Sequence, residues 1–283
     1  MSHIKDFVLH LRLNYNLFIL SAPFFLGALY LPTISDYTHF AFLFFLVYIL
    51  LFGGANAYNS YIDKDEGPIG GLEHPPKMAR WMYYGAWLIQ ILGFIVSISI
   101  NFIFGVLYLV SILLSWMYSG TTVRLKAKPL LSFFVVGIGT AFNTTIMGYL
   151  ASGGTTVSSE LILGALGITI IILSMYPFSQ AYQIKEDTKR GDRTFAAAYG
   201  IQAIQKNYLY LFIIGFLLLS SSFHSNNPVA LSLFIIGVVA YISIWQVVKT
   251  ITGDRSEYKK VMKTKYYGGM AFTLAILLLL LLF

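Results

Sequence analysis

Nine apolar stretches, near residues 8–31, 38–60, 81–99, 101–119, 129–150, 160–182, 207–223, 228–248 and 266–283, leave this chain few ways to fold. Each runs roughly 18 to 24 residues, enough for a helix to cross a hydrocarbon core about 30 Å thick. In lipid, segments of this length satisfy their backbone hydrogen bonds internally only as α-helix. With 11% charged residues the chain also falls well below a soluble domain. The expected fold is all-α, a polytopic membrane protein of nine transmembrane helices, which makes the lipid bilayer its first partner.

The connections alternate in charge. Those near 32–37, 100, 151–159 and 224–227 contain no Lys or Arg, while the N-terminal segment and the other four hold all 19. The positive-inside rule then predicts a cytoplasmic N-terminus, cytoplasmic acidic loops and a C-terminus outside. The same asymmetry accounts for the net charge of +7 without a nucleic-acid partner. Lys5 and Arg12 precede a long apolar stretch with no small-residue cleavage site, which predicts a retained first span. No connection is long enough for a further domain, so residues 1–283 are expected to form one membrane domain. The absence of cysteine excludes disulfides, thiolate metal sites and cysteine nucleophiles. His3, His10, His39, His74 and His224 form no HxxxH or HExxH pair and read as interfacial or loop residues.

Two stretches echo each other. A shift of 124 positions lays AYNSYIDKDEGP (57–68) on AYQIKEDTKRGD (181–192), matching Ala57 to Ala181, Tyr58 to Tyr182, Asp63 to Asp187 and Gly67 to Gly191. Both end an even-numbered span and run into a basic loop. A four-helix repeat preserves orientation, so the expectation is two parallel repeats, about 8–119 and 129–248, plus an extra helix near 266–283. Residues three and four apart share a helix face. Asn56, Asn59 and Asp63 therefore make one polar stripe, and Gln180, Gln183 and Asp187 its counterpart. Intramembrane polarity is costly, so both stripes are expected to face a central cavity open to the cytoplasmic side.

Carboxylates with carboxamides are hard oxygen donors suited to Mg²⁺, which commonly bridges to substrate phosphates. Nearby stand cations suited to the phosphates: Lys185, Lys189, Arg190 and Arg193, with Arg124 and Lys126 in YSGTTVRLKAKP. This set fits a diphosphate.

These residues resemble the UbiA superfamily of membrane prenyltransferases, whose members carry aspartate-rich motifs after helices 2 and 6. Asn59 and Asp63 match the first motif, Asp187 and Asp192 approximate the second, and YSGTTVRLKAKPLL, with Tyr118, Arg124 and Lys126, is similar to the family's tyrosine-plus-basic segment. RLNYNLFILSAP, from Arg12, is similar to the start of the first helix. Ser60 and Gly67 stand where the family has aspartates, with Asp65 or Glu66 as candidate substitutes, and Glu186 is a shifted partner in the second motif. The resemblance implies Mg²⁺-dependent transfer of an isoprenyl group from an isoprenyl diphosphate to a hydrophobic acceptor, with release of diphosphate. Asn59, Asp63, Asp187 and Asp192 would hold the metal. Asn56, Gln183, Lys185, Arg190 and Asp192 would contact substrate. Tyr58, Tyr61, Tyr118, Tyr176 and Tyr182 are candidates to shield an allylic cation with their π faces.

Two other readings stay open: a noncatalytic relative that binds a prenyl lipid and presents it to a partner, which Ser60 and Gly67 make tenable, and a transporter. A transporter typically binds near the midplane between broken helices. Here the acids sit at one membrane face, and the one midspan polar residue, Asn143, is expected to hydrogen-bond between helices. GPIGGLEHPPKM (67–78) lacks the Walker ending and reads as a mobile cytoplasmic cap.

Overall fold

The computed structural model describes residues 2–283. Among the described residues the fold is helical, with one isolated bridge between Ile69 and Leu72. Eight helices are long and apolar enough to cross a membrane: α4 (Tyr37–Asp63), α5 (Arg80–Ile100), α6 (Phe102–Ser119), α7 (Pro129–Ala151), α8 (Ser159–Arg190), α9 (Phe195–Ser221), α10 (Asn227–Val248) and α11 (Arg255–Leu282).

The first apolar stretch departs from the expected single span. It folds as three short helices, α1 (Ser2–His10), α2 (Leu13–Ile19) and α3 (Ala22–Ala28). Arg12 takes a left-handed backbone (φ 49°), and the Asn16 amide donates to Leu11 O at 3.1 Å and Tyr48 O at 3.0 Å, holding the break. Pro23, with no N–H to give, starts α3 where a missing donor costs nothing. His10, read as a loop residue, is buried with its ring nitrogen 2.8 Å from Pro76 O.

Two helices run further than their apolar stretches and so carry the polar stripes. α4 continues to Asp63, and α8 continues through a 3-10 segment, Pro177–Gln183, and a final turn, Ile184–Arg190. The two echoed stretches thus differ locally: 57–63 is continuous α-helix, whereas 181–183 is 3-10 and α-helix resumes only over 184–190. α9 begins at Phe195, ahead of its apolar stretch, and breaks at Gly200 (φ 73°).

Small residues let helices approach where lipid offers no hydrophobic drive. α8 and α9 cross at Gly167 and Gly215, where a Cβ on Gly215 would stand 2.8 Å from Gly167 O. Asn143 follows a π-helical turn, Gly137–Phe142, and donates across to Ser111 Oγ at 3.0 Å.

Candidate active site

A cavity of about 860 Å³ lies among α2 and the long helices except α5. That volume is in the range of small-molecule sites. Asn56, Asn59, Asp63, Gln180, Gln183 and Asp187 all line it, so both stripes face the same space. Away from their polar ends its walls are apolar, with Leu51, Ile172, Phe212, Phe216 and Val239 among them.

The polar end is a dense charge cluster. Arg190 Nη1 donates to Asp65 Oδ1 at 2.5 Å, Nη2 to Asp187 Oδ1 at 2.8 Å and Nε to Asp192 Oδ2 at 2.8 Å. Arg124 holds Asp192 through Nε (2.6 Å) and Nη2 (2.8 Å), and Nη2 also reaches Asp63 Oδ1 at 3.3 Å. Lys126, itself buried, pairs with Asp63 and stands 3.7 Å from Asp192 Oδ2. Neutral donors complete the shell: Asn59 Nδ2 to Asp63 Oδ2 (2.8 Å) and Ser119 Oγ (2.9 Å), and Thr194 Oγ1 to Asp187 Oδ2 (2.9 Å). Burial pushes the Asp192 carboxyl up, but the Arg124 hydrogen bonds and Lys126 charge outweigh it and hold it below the usual range. Among the described residues, Arg12, Lys64 and Arg124 are the non-glycine residues with positive φ, and all three adjoin this cluster. Each such residue costs on the order of 1–3 kcal/mol, and strain of this kind collects at functional sites.

Several expected site residues lie elsewhere. Lys185 is exposed and stands 3.6 Å from Asp254 Oδ2, because Asp187 and Arg190, three apart, take the inward face of that turn. Lys189 and Arg193 are exposed as well. Glu66 points to solvent, leaving Asp65 as the additional acid at the site. Glu186 accepts from the backbone N–H of Glu66 (3.0 Å) and Gly67 (3.4 Å), anchoring the loop after α4. Tyr58 and Tyr61 leave the cavity for Tyr83, at ring distances of 5.8 and 4.9 Å. Tyr118, Tyr176 and Tyr182 line it, and the Tyr118 and Tyr176 hydroxyls are 2.9 Å apart. Asn56 Nδ2 is spent on Asn16 Oδ1 (2.7 Å), and Gln183 Nε2 on Pro68 O (3.3 Å). The latter bond holds the start of the 67–78 segment, where Ile69–Leu72 make a tight turn with Ile69 and Gly70 on the cavity.

The side chains unassigned by sequence include Ser119 and Thr194 and, among the larger polar groups, Arg12, Tyr15 and Lys265, all lining the cavity. Lys265 shares a helix face with Gly268, Gly269 and Phe272, which also line it, a spacing that could have marked it inward.

The donor chemistry fits a hard divalent cation: Asp63, Asp65, Asp187, Asp192 and the Asn59 amide are oxygen ligands. Among the described residues no three such acids already converge as a metal cage. Each of the four instead meets Arg124, Lys126 or Arg190, with which a metal would share it.

The site is thus a carboxylate-rich head at the end of an apolar chamber in an all-helical membrane fold. A sequence profile of the UbiA prenyltransferase family matches residues 20–266, and the chain belongs to that family. Its fold resembles a UbiA homologue from Archaeoglobus fulgidus bound to GPP and Mg²⁺, with a TM-score of 0.73 at 14% identity over 95% of this chain and 99% of the other. It also resembles the structure of a digeranylgeranylglyceryl phosphate synthase, with a TM-score of 0.66 at 17% identity over the full length of both. In sequence, a digeranylgeranylglyceryl phosphate synthase from Methanosarcina mazei is 36% identical over 136 residues. That alignment spans 45% of this chain and 45% of the relative.

Proposed function

We propose that this protein transfers an isoprenyl group from an isoprenyl diphosphate to a lipophilic acceptor, with Mg²⁺, and releases diphosphate. The observation that carries this reading is the meeting of both acidic stretches at the polar end of one apolar cavity. Membership of a prenyltransferase family and likeness to homologues bound to GPP or DMAPP with Mg²⁺ support it.

Asn59, Asp63, Asp65, Asp187 and Asp192 would hold Mg²⁺. When bound, the metal neutralises the diphosphate and stabilises it as a leaving group. Arg124, Lys126 and Arg190 supply fixed positive charge where the leaving oxygens gain negative charge as the allylic C–O bond breaks. Asn56 and Gln183 shape the head pocket. The apolar walls keep water from the allylic carbon, and the Tyr118 and Tyr176 rings offer it their π faces. The acceptor's nucleophilic atom then forms the new bond and loses its proton.

The arrangement in the membrane belongs to the same proposal. One domain over 1–283 would comprise nine spans, the first being the interrupted α1–α3 stretch. Two parallel repeats, about 8–119 and 129–248, would be followed by the extra helix near 266–283. The N-terminus and acidic loops would be cytoplasmic and the C-terminus outside. The Lys and Arg distribution supports this orientation.

Mass spectrometry of lipids from cells with and without the protein tests the reading. A prenylated species should disappear on deletion and return with the wild type, and return should fail with Asp63→Asn. An unchanged lipid profile would leave a noncatalytic prenyl-lipid binder.

A further inference from the structure

We propose that the cavity holds a second anion subsite, built by Arg12, Lys265 and Tyr15, which takes the phosphomonoester head of a lipid acceptor. The proposal rests on the transferase reading and names its acceptor class.

The argument begins with charge left over. Arg124, Lys126 and Arg190 are each paired with carboxylates at the head of the cavity. Arg12 and Lys265 line the same cavity, yet among the described residues neither makes a salt bridge. Arg12 Nη2 rests on the Ser60 hydroxyl at 2.6 Å, while its Nε is buried with no hydrogen-bond partner. Lys265 is only 8% exposed, and Nζ donates to Tyr15 OH at 2.8 Å. An ammonium carries three donors, and this is the one side-chain or backbone bond Lys265 Nζ makes. Neither the half-buried Arg12 nor the buried Lys265 is held by a salt bridge, so the pair is suited to an anion that arrives from outside.

Position 60 sharpens the point. A carboxylate there would neutralise Arg12, whereas the hydroxyl accepts its hydrogen bond and leaves its charge free. Tyr15 joins the two cations, three residues from Arg12 and in contact with Lys265. The turn after α4 covers it, since a Cβ on Gly70 would meet Tyr15 Cε2 at 3.1 Å. The subsite is thus shielded by the protein's own loop.

The charge count selects the ligand. Two cations outside any salt bridge, with spare N–H donors, match a phosphomonoester, which carries about −1.5 to −2 near neutral pH and presents several acceptor oxygens. A carboxylate brings half that charge. The guanidinium fork and the ammonium suit tetrahedral oxygens. Ile19, Ile244 and Phe272 continue the cavity wall beside the subsite and suit a hydrocarbon tail. The donor's diphosphate offers similar chemistry, but its head belongs with the aspartates and their three cations.

The test uses full-length protein in nanodiscs and four probes. These are a glycerol alkyl ether bearing a terminal phosphate, the same ether as the free alcohol, glycerol phosphate without a tail, and a nonhydrolysable isoprenyl diphosphate analogue with Mg²⁺. The phosphate ether should bind at least tenfold more tightly than either the alcohol or glycerol phosphate. Lys265→Met, Arg12→Gln and Ser60→Asp should each remove that advantage while analogue binding stays within twofold, and Lys265→Arg should keep it. Ser60→Asp leaves Arg12 in place and cancels only its free charge, so it remains informative if a truncation misfolds. Equal binding of phosphate ether and alcohol, equal binding of glycerol phosphate, or parallel loss of the diphosphate analogue would each overturn the proposal. If the wild type binds the phosphate ether but prenylates nothing, the transferase reading fails and the subsite stands. If it prenylates the alcohol as well as the phosphate ether, the subsite fails and the transferase stands.

Discussion

The Arg190 guanidinium, from the second acidic stretch, donates to the Asp65 carboxylate of the first at 2.5 Å. A second bond between the two stretches, from Arg190 Nη1 to the Asp63 carbonyl at 3.2 Å, fixes the end of α4 on the end of α8. The two stretches therefore act as one charge system, and a change in either reaches both.

Asp65, rather than Glu66, lines the cavity and pairs with Arg190. Asp65→Ala is expected to weaken Mg²⁺-dependent binding of an isoprenyl diphosphate analogue by tenfold or more, since a site for Mg²⁺ beside a polyanion needs several carboxylate oxygens. Glu66→Ala, which removes an exposed side chain, should stay within twofold. Glu73→Ala, which removes an exposed partner of Lys259 at 3.2 Å, should do the same. Calorimetry with and without Mg²⁺ decides it: equal losses from Asp65→Ala and Glu66→Ala would remove Asp65 from the site.

Asp63→Asn and Asp187→Asn should each lower turnover by at least a hundredfold while the protein still inserts in the membrane. The amide keeps the shape and loses the charge that would hold metal. Asp63→Asn should also lower thermal stability, because buried Lys126 would keep only Asp192, at 3.7 Å, as a counter-charge. Removing one member of a buried pair costs about 3–5 kcal/mol when nothing replaces it. Lys126→Met added to Asp63→Asn should recover stability without recovering turnover, and recovered turnover would take Asp63 out of the chemistry.

Gly67 stands where the family carries an acid, and its neighbours oppose one here. A Cβ at this position would run into the Glu186 carboxylate and stand 3.3 Å from Arg255 Cζ. Gly67→Asp should therefore lower both stability and turnover, by adding bulk and like charge against the group that anchors this loop. Glu186→Ala in the same chain should restore part of the loss. Higher activity in Gly67→Asp alone would show that the position still serves as a ligand.

The chain's apolar stretches made eight long helices legible in the sequence, and the 3.6-residue period showed which face of α4 turns inward. The broken first stretch was not legible. Its interruption depends on Arg12 in a left-handed conformation and on Asn16 reaching Tyr48 O, a bond across 32 residues that no local pattern announces. Charges were legible only as a class. Lys185 and Arg190 look alike in a basic loop, and only the last turn of α8 sends one to solvent and the other into the aspartates. Lys265 was hidden for the converse reason, as a lysine at the margin of an apolar stretch usually marks topology. Tyrosines were ambiguous because an aromatic at a helix end serves packing and chemistry equally well.

That ambiguity gives the final prediction. Tyr118 lines the cavity with its hydroxyl 2.9 Å from that of Tyr176, whereas Tyr61 packs on Tyr83 at a ring distance of 4.9 Å. If the Tyr118 ring faces an allylic cation, Tyr118→Leu should reduce kcat by about thirtyfold, an effect of the size expected when a desolvated cation–π contact near 2 kcal/mol is lost. Donor-analogue affinity should stay within twofold, because the ground-state diphosphate carries no carbocation for the ring to stabilise. Tyr118→Phe keeps the ring and should retain most of the rate. Tyr61→Leu should leave kcat unchanged and lower only thermal stability, through lost packing. Single-turnover kinetics with each variant separates the cases, and a Tyr118→Phe loss as deep as that of Tyr118→Leu would assign the effect to the hydroxyl rather than to the ring.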